Sequence, residues 1–230
     1  MRTLSVVIPA YNEERFIGAL LDKITAVDLA PLGFGMELIV VDDRSKDRTA
    51  EIVAEVPGVR LIRMEKNGGK GRAVRAGIAA ASGELLIIQD ADLEYDPQDY
   101  IPMVRALLGG RADIIYGSRY LGRGRHDNQS LGAYLGGRSL SVIAWLFTGQ
   151  FLTDTVTAFK LFRREELAAL PLETSGFELD HEITARMLAR GKTIAEVPIR
   201  YYPRSRAEGK KIGARDWAIA VRTFWMYRRG

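Results

Sequence analysis

Asp90 and Asp92 stand one residue apart where an apolar run, Ile87-Ile88-Gln89, comes to its end. In an extended segment residues i and i+2 point to the same side, so both carboxylates converge on one point just past a buried strand. Open α/β sheets bind ligands in the crevice outside the carboxyl ends of their strands. Two hard oxygen donors in such a place suit Mg²⁺ or Mn²⁺ holding a diphosphate. The same two acids also fit a plain polar exit from strand to loop, and a lone D-x-D does not separate the two readings.

Two earlier strand ends carry similar equipment. The first leaves through Pro9-Ala10-Tyr11-Asn12-Glu13-Glu14, the second through Asp42-Asp43-Arg44-Ser45-Lys46-Asp47. Acids after a second strand commonly bond the ribose or base of a nucleotide, and Tyr11 can line the base. Neither a G-x-G-x-x-G fingerprint nor a Walker loop is present, and Gly68-Gly69-Lys70-Gly71 fits neither pattern. Loop solubility is the competing explanation, weakened by polar groups at three successive strand ends.

The elements that must position these residues alternate. Strands are expected at 4–9, 37–42, 59–63, 84–89 and 112–116, and helices at 13–27, 47–56, 71–81 and 99–108. Such alternation argues βαβ units and a mostly parallel sheet flanked by helices. After Ser118 the pattern changes. A Gly- and Arg-rich loop over 121–132 leads into a long apolar helix ending near Phe151. A strand at 158–162, helices at 163–169 and 178–189, a strand at 193–199 and a terminal helix follow. The expected organisation is one α/β domain over 1–213 and an amphipathic helix over 214–230.

The chain has 230 residues, 47% of them hydrophobic and 27% charged, which suits a globular domain of this size. It has no cysteine and two histidines, His126 and His181. Disulfides, thiolate metal sites and multi-histidine centres are thereby excluded, and both histidines are expected in structural or surface roles. No leader is visible at Met1, and no apolar run reaches the ~18 residues that span a bilayer.

Charge is unevenly spread. Residues 200–230 carry nine lysines and arginines against Glu208 and Asp216, a net +7, so the rest is −3 in a total of +4. Trp217, Val221, Phe224 and Trp225 share one helical face, and Arg215, Arg222 and Arg229 recur on another. A basic helix with an aromatic face fits an anionic membrane surface. It equally fits packing on the domain or on a second copy in a homodimer. Nucleic acid is not an expected partner.

Eight stretches in order resemble one family: VVIPAYNEE (6–14), VVDDRSKDRT (40–49), NGGKGRAVRAG (67–77), QDADLEYDP (89–97), GSRYLG (117–122), DTVTAFKLFRR (154–164), GFELDHEI (176–183) and EVPIRYYPRSRAEGKK (196–211). The sequence resembles family 2 glycosyltransferases of the GT-A fold, and within them the dolichyl-phosphate mannose synthase-like, polyprenyl-phosphate hexosyltransferases. The resemblance implies a UDP- or GDP-hexose donor lined by Pro9, Ala10, Tyr11 and Glu13, with Asp43 on base or ribose. Lys70 and Gln89 would lie at its edge, and Asp90 and Asp92 would hold Mg²⁺ or Mn²⁺. Asp92, Asp154 and Arg119 are the implied catalytic residues, with Asp154 a base or an orienting group. Arg119, Arg138, Ser139 and Arg206 would bind the acceptor phosphate. Ala158 departs from the family's Gly or Cys. Glu178, Asp180 and Glu182 are expected by default as solvated helix acids, with an acceptor or donor-sugar contact among them as the alternative. The implied enzyme is inverting and works from the cytoplasmic side, peripheral on the inner membrane face. A soluble or glycan acceptor, or a non-catalytic nucleotide-sugar-binding role, are the alternatives.

Overall fold

A computed structural model describes residues 2–121, 131–203 and 214–229. Its strands are β1 (Arg2–Ala10), β2 (Phe34–Asp42), β3 (Val59–Arg63), β4 (Leu85–Ile88), β5 (Ile114–Ser118), β6 (Lys160–Arg163) and β7 (Ile194–Pro198). Its helices are α1 (Ile17–Thr25), α2 (Thr49–Ala54), α3 (Lys70–Ala80), α4 (Tyr100–Leu108), α5 (Leu131–Thr148), α6 (Arg164–Ala168), α7 (Leu179–Ala189) and α8 (Ala214–Tyr227). The strands form one sheet in the order β3-β2-β1-β4-β6-β5-β7. Every pairing is parallel except those of β6, which runs antiparallel to β4 and β5.

The inner strands are unbroken apolar runs because both faces of the sheet are covered. Leu4, Val6 and Ile8 of β1 pack with Ile17, Leu20, Leu21 and Ile24 of α1 and with Met103, Val104 and Leu107 of α4. The alternate residue Val7 faces Val74 and Ile78 of α3 and Leu179, Ile183 and Met187 of α7. Gly77 permits this second layer, since a Cβ there would collide with the Val7 side chain. Ala158 is buried in the first core.

The register aligns the strand ends that matter. Ala10 pairs with Asp42 and Val7 with Ile88. The Gln89 N–H donates to the Val7 carbonyl at 3.0 Å, which carries the ladder one step towards Asp90. Because β6 is reversed, its start, Lys160, lies beside Ile88 and Tyr116, at the carboxyl end of its neighbours. The 154–160 segment thus reaches the same edge as Asp90, though it lies far away in sequence.

Helix α1 begins at Ile17 rather than at 13. The N–H groups of Glu13 and Glu14 are taken instead by the Thr49 hydroxyl and the Asp47 carboxylate. The terminal helix also differs from expectation. Phe224 and Tyr227 pack with Ala144 of α5 and Ala185 of α7, whereas Trp217 and Trp225, expected beside Phe224, are exposed. Burying Phe224 fully stabilises this docking by roughly 2–3 kcal/mol.

Candidate active site

Four strand ends and α3 enclose a cleft of about 400 Å³. The loop after β1 contributes Pro9, Ala10, Tyr11 and Glu13. It is tied to the loop after β2: the Asn12 N–H donates to the Ser45 hydroxyl and the Lys46 N–H to Asn12 Oδ1. Asn12 and Arg44 both sit at positive φ, 56° and 64°. Asn adopts this left-handed region readily, so Arg44 is the uncommon conformation of the two.

Asp43 lines the cleft, and its carboxylate accepts the N–H groups of Gly68 and Gly69 at 2.8 and 2.7 Å. It therefore fixes the glycine loop ahead of α3. Gly69 has φ +87°, and a Cβ there would meet the Ser175 carbonyl. The close approach these glycines allow is to the chain's own 174–175 segment, where the Gly71 N–H donates to the Ser175 carbonyl at 2.7 Å.

Asp90, Ala91 and Asp92 form the cleft wall at the mouth of β4. Asp90 is partly exposed, and its Oδ1 lies 2.7 Å from Lys70 Nζ. Asp92 is more buried and also accepts the Glu94 N–H at 3.0 Å. Among the described residues no third His, Cys, Asp or Glu joins the pair. Two carboxylate oxygen donors fit a hard divalent cation that takes its remaining ligands from water and a bound phosphate. Gln89 is not part of the rim. It is fully buried, accepting the Tyr100 hydroxyl at 2.8 Å and donating to the Asp90 carbonyl at 2.9 Å, so it braces the acid from behind.

Asp180 and Glu182 are not solvated. Asp180 accepts Lys70 at 3.0 Å and Lys160 at 3.2 Å, and Glu182 is enclosed by the N–H groups of Glu173 and Thr174 and by Arg186. Burial works against the Asp180 charge, but Lys160 and Lys70 outweigh it and bring its pKa to about 2. Lys70 is likewise opposed by burial and ends raised by Asp180 and Asp90. Lys160, with no exposed surface, is lowered by burial. The signal for this cluster lay in FKLF and FELD, where charges interrupt apolar runs, but only the reversed β6 explains their meeting.

His181 is buried against the Phe224 ring, 5.1 Å between centroids, and its Nδ1 has no hydrogen-bond partner among the described residues. Burial first, then Lys160, lowers its pKa from 6.5 to about 4. The unfolded chain therefore takes up this proton nearer pH 6.5, and stability is lost as pH falls from there towards 4. The full effect is roughly 3 kcal/mol. His181→Leu is expected to flatten the pH dependence of the melting temperature over that window, as a series of thermal melts would show. His126 lies outside the described residues.

On the other wall, Arg119 follows β5. Its Nε and Nη2 donate to the two Asp154 oxygens at 2.6 and 2.7 Å, and its N–H to Oδ2 at 3.1 Å. The guanidinium lies over the Tyr201 and Tyr120 rings, and its pKa is raised, Asp154 overcoming the opposing effect of burial. Arg119, Tyr95 and Tyr201 line the cleft. This aromatic lining has no signal in the sequence, because tyrosines scattered through loops carry no period. Asp154 stands behind Arg119, its own N–H held by Glu196 at 2.9 Å. Arg138 and Ser139 do not line the cleft. Arg138 donates to the Thr153 carbonyl at 2.8 Å, and Ser139 accepts the Trp217 indole at 2.9 Å. Arg206 lies outside the described residues.

Residues 5–170 match the family described as Glycosyl transferase family 2. A dolichol-phosphate mannosyltransferase from Pyrococcus furiosus is 33% identical over 91% of this chain, and the chain spans 59% of that enzyme's length. A dolichyl-phosphate hexose transferase from Haloferax volcanii is 33% identical over 88% of this chain and 84% of its own. Among solved structures, glucosyl-3-phosphoglycerate synthase from Mycobacterium tuberculosis in complex with UDP superposes with a TM-score of 0.72 at 25% identity, covering 97% of this chain and 77% of that one. The same enzyme with Mg²⁺ and UDP gives 0.66 at 25% identity over 90% and 74%. The mostly parallel sheet flanked by helices is a GT-A fold, the fold of those neighbours. An acid pair at the mouth of β4, polar exits from β1 and β2, and this match over most of its length agree: the chain belongs to glycosyl transferase family 2.

Proposed function

We propose that the protein is an inverting glycosyltransferase that moves a hexose from a nucleotide-diphospho-sugar to a polyprenyl phosphate. One observation carries the reading: the acid pair Asp90/Asp92 and the partly buried cation Arg119 line the same cleft. One group suits a donor diphosphate and the other an anionic acceptor. An acceptor phosphate oxygen attacks the anomeric carbon, the bond from that carbon to the diphosphate oxygen breaks, and nucleoside diphosphate leaves with inversion. The acceptor is already an anion, so no strong base is required.

The residues divide the work. Tyr11 and the Pro9–Ala10 backbone line the nucleotide, and Asp43 holds the glycine loop that carries Lys70. Asp90 and Asp92 would hold Mg²⁺ or Mn²⁺, which would supply positive charge to offset that on the departing diphosphate. Arg119 keeps its Nε and one Nη2 N–H on Asp154 and meets the acceptor phosphate with the Nη1 and remaining Nη2 N–H groups at the other edge of the guanidinium. Asp154 keeps that group in place.

A lipid acceptor is supported by the names of the relatives and by the surface. Leu135, Val142, Trp145 and Leu146 of α5 are exposed, Leu146 at 69%, near the exposed Trp217, Trp225 and Met226 of α8. No described helix is long and apolar enough to cross a membrane. The exposed apolar side chains and the arginines of α8 support contact with a bilayer surface, α8 lying against anionic headgroups. The test begins with thermal shift against UDP, GDP, TDP and CDP with Mn²⁺. The sugar nucleotide of the stabilising base is then offered dolichyl and undecaprenyl phosphate in detergent, beside 3-phosphoglycerate. Glycosylated lipid phosphate is expected. Transfer to the soluble acceptor alone would replace the lipid reading, and no turnover of any donor would end the enzymatic one.

A further inference from the structure

The acid pair already has a cation beside it. Lys70 Nζ is 2.7 Å from Asp90 Oδ1 and 3.0 Å from Asp180 Oδ2, with the Phe177 ring 5.7 Å away. Its placement runs against helix preference. Lys70 is the first residue of α3, where the positive end of the helix dipole disfavours a cation. What holds it there is the pair of carboxylates, and they are not equivalent. Asp90 opens on the cleft, whereas Asp180 is buried and already shared with Lys160 at 3.2 Å. Lys70 can thus leave Asp90 and remain paired. A flexible stem ending in a compact ammonium suits such an exchange better than a fixed arginine fork.

We propose that Lys70 is a resident counter-ion: it holds Asp90 while no donor is bound, gives that carboxylate up to a divalent cation, and stays anchored on Asp180 against the incoming diphosphate. This rests on reading Asp90 and Asp92 as the donor site. Two cations cannot share one Asp90 oxygen without strong repulsion, so Lys70 opposes a metal arriving alone. Once a diphosphate accompanies the metal, the same ammonium has an anion to face, and its effect reverses. Lys70 would therefore make metal binding depend on nucleotide.

That reversal of sign is the test. Mn²⁺ binding is followed by electron paramagnetic resonance in the wild type, Lys70→Met and Asp90→Asn, with circular dichroism to establish folding. Lys70→Met is expected to bind Mn²⁺ alone about tenfold more tightly than the wild type, and Mn²⁺ with UDP or GDP about tenfold more weakly. Binding of Mn²⁺ alone that is unchanged or weaker in Lys70→Met overturns the proposal. Should that variant not fold, Lys70→Arg serves. Its fork grips Asp90 more firmly and weakens binding of Mn²⁺ alone, and an unchanged affinity overturns the proposal equally. Asp90→Asn separates the two levels. If it retains wild-type Mn²⁺ affinity, the metal sits elsewhere and the donor-site reading falls with the counter-ion. If it loses Mn²⁺ while Lys70→Met behaves as wild type, only the counter-ion falls.

Discussion

Asp90→Ala is expected to lower hexose transfer about 10²–10³-fold while the protein stays folded, the size of effect seen when one preorganised electrostatic contact is removed from a transition state. The expectation follows from where Asp90 stands. It is a partly exposed carboxylate at the cleft wall, and no residue of the core packs through it. Its loss leaves Lys70 paired with Asp180, so the destabilisation is that of one partly buried ion pair, a few degrees in melting temperature. Asp92 offers a less clean test, because its carboxylate also accepts the Glu94 N–H and the 92–94 turn would loosen with it. The measurement is turnover at saturating donor and metal alongside a melt. Activity within tenfold of the wild type, in a folded Asp90→Ala protein, would remove the acid pair from the chemistry.

The wall of this cleft proposed for the donor was legible in the sequence because it is built from strand ends. A buried parallel strand is a short apolar run, and the polar residues that follow it necessarily emerge at one edge. Pro9, Asp43 and Asp90 close three such runs, and that position alone is enough to bring them to a common edge. Gln89 is expected at the edge of the donor only through the resemblance, and strand geometry corrects it. It stands one residue before Asp90, and period two sends it to the opposite side, where it braces Tyr100 rather than joining the rim.

The wall proposed for the acceptor was less legible because strand direction carries no local signal. LF and LLII look alike whichever way the strand runs. The reversal of β6 is what puts Asp154 behind Arg119 and Lys160 beside Asp180, 20 residues on in the chain. The same is true of α8: a helical wheel groups Trp217 with Phe224, but the partner surface on α5 and α7 selects Phe224 and Tyr227 and leaves the tryptophans outside. Periodicity finds an apolar face, and only the neighbour decides which part of it is buried.

Asp154→Asn decides what that second wall does. Both Asp154 oxygens are occupied by Arg119, and the carboxylate is almost wholly buried, which is the arrangement of a positioning group rather than of a proton acceptor open to substrate. An amide there turns an N–H towards a guanidinium that can only donate, leaving a buried charge without its counter-ion. Breaking one side of a buried pair costs about 3–5 kcal/mol, which for a domain of this size lowers the melting temperature by roughly 10 °C. If Asp154 positions Arg119, the variant raises the KM for the acceptor and leaves the pH dependence of kcat unchanged. If it is a base, kcat falls at constant KM and recovers as pH rises. The double variant Arg119→Met, Asp154→Leu separates stability from recognition. Apolar side chains of similar volume often replace a buried pair without loss, so its melting temperature is expected to return above that of Asp154→Asn, while acceptor binding stays lost. Recovered stability without recovered acceptor affinity would assign the pair to recognition of the acceptor, and a double variant that bound the acceptor as the wild type does would remove Arg119 from it.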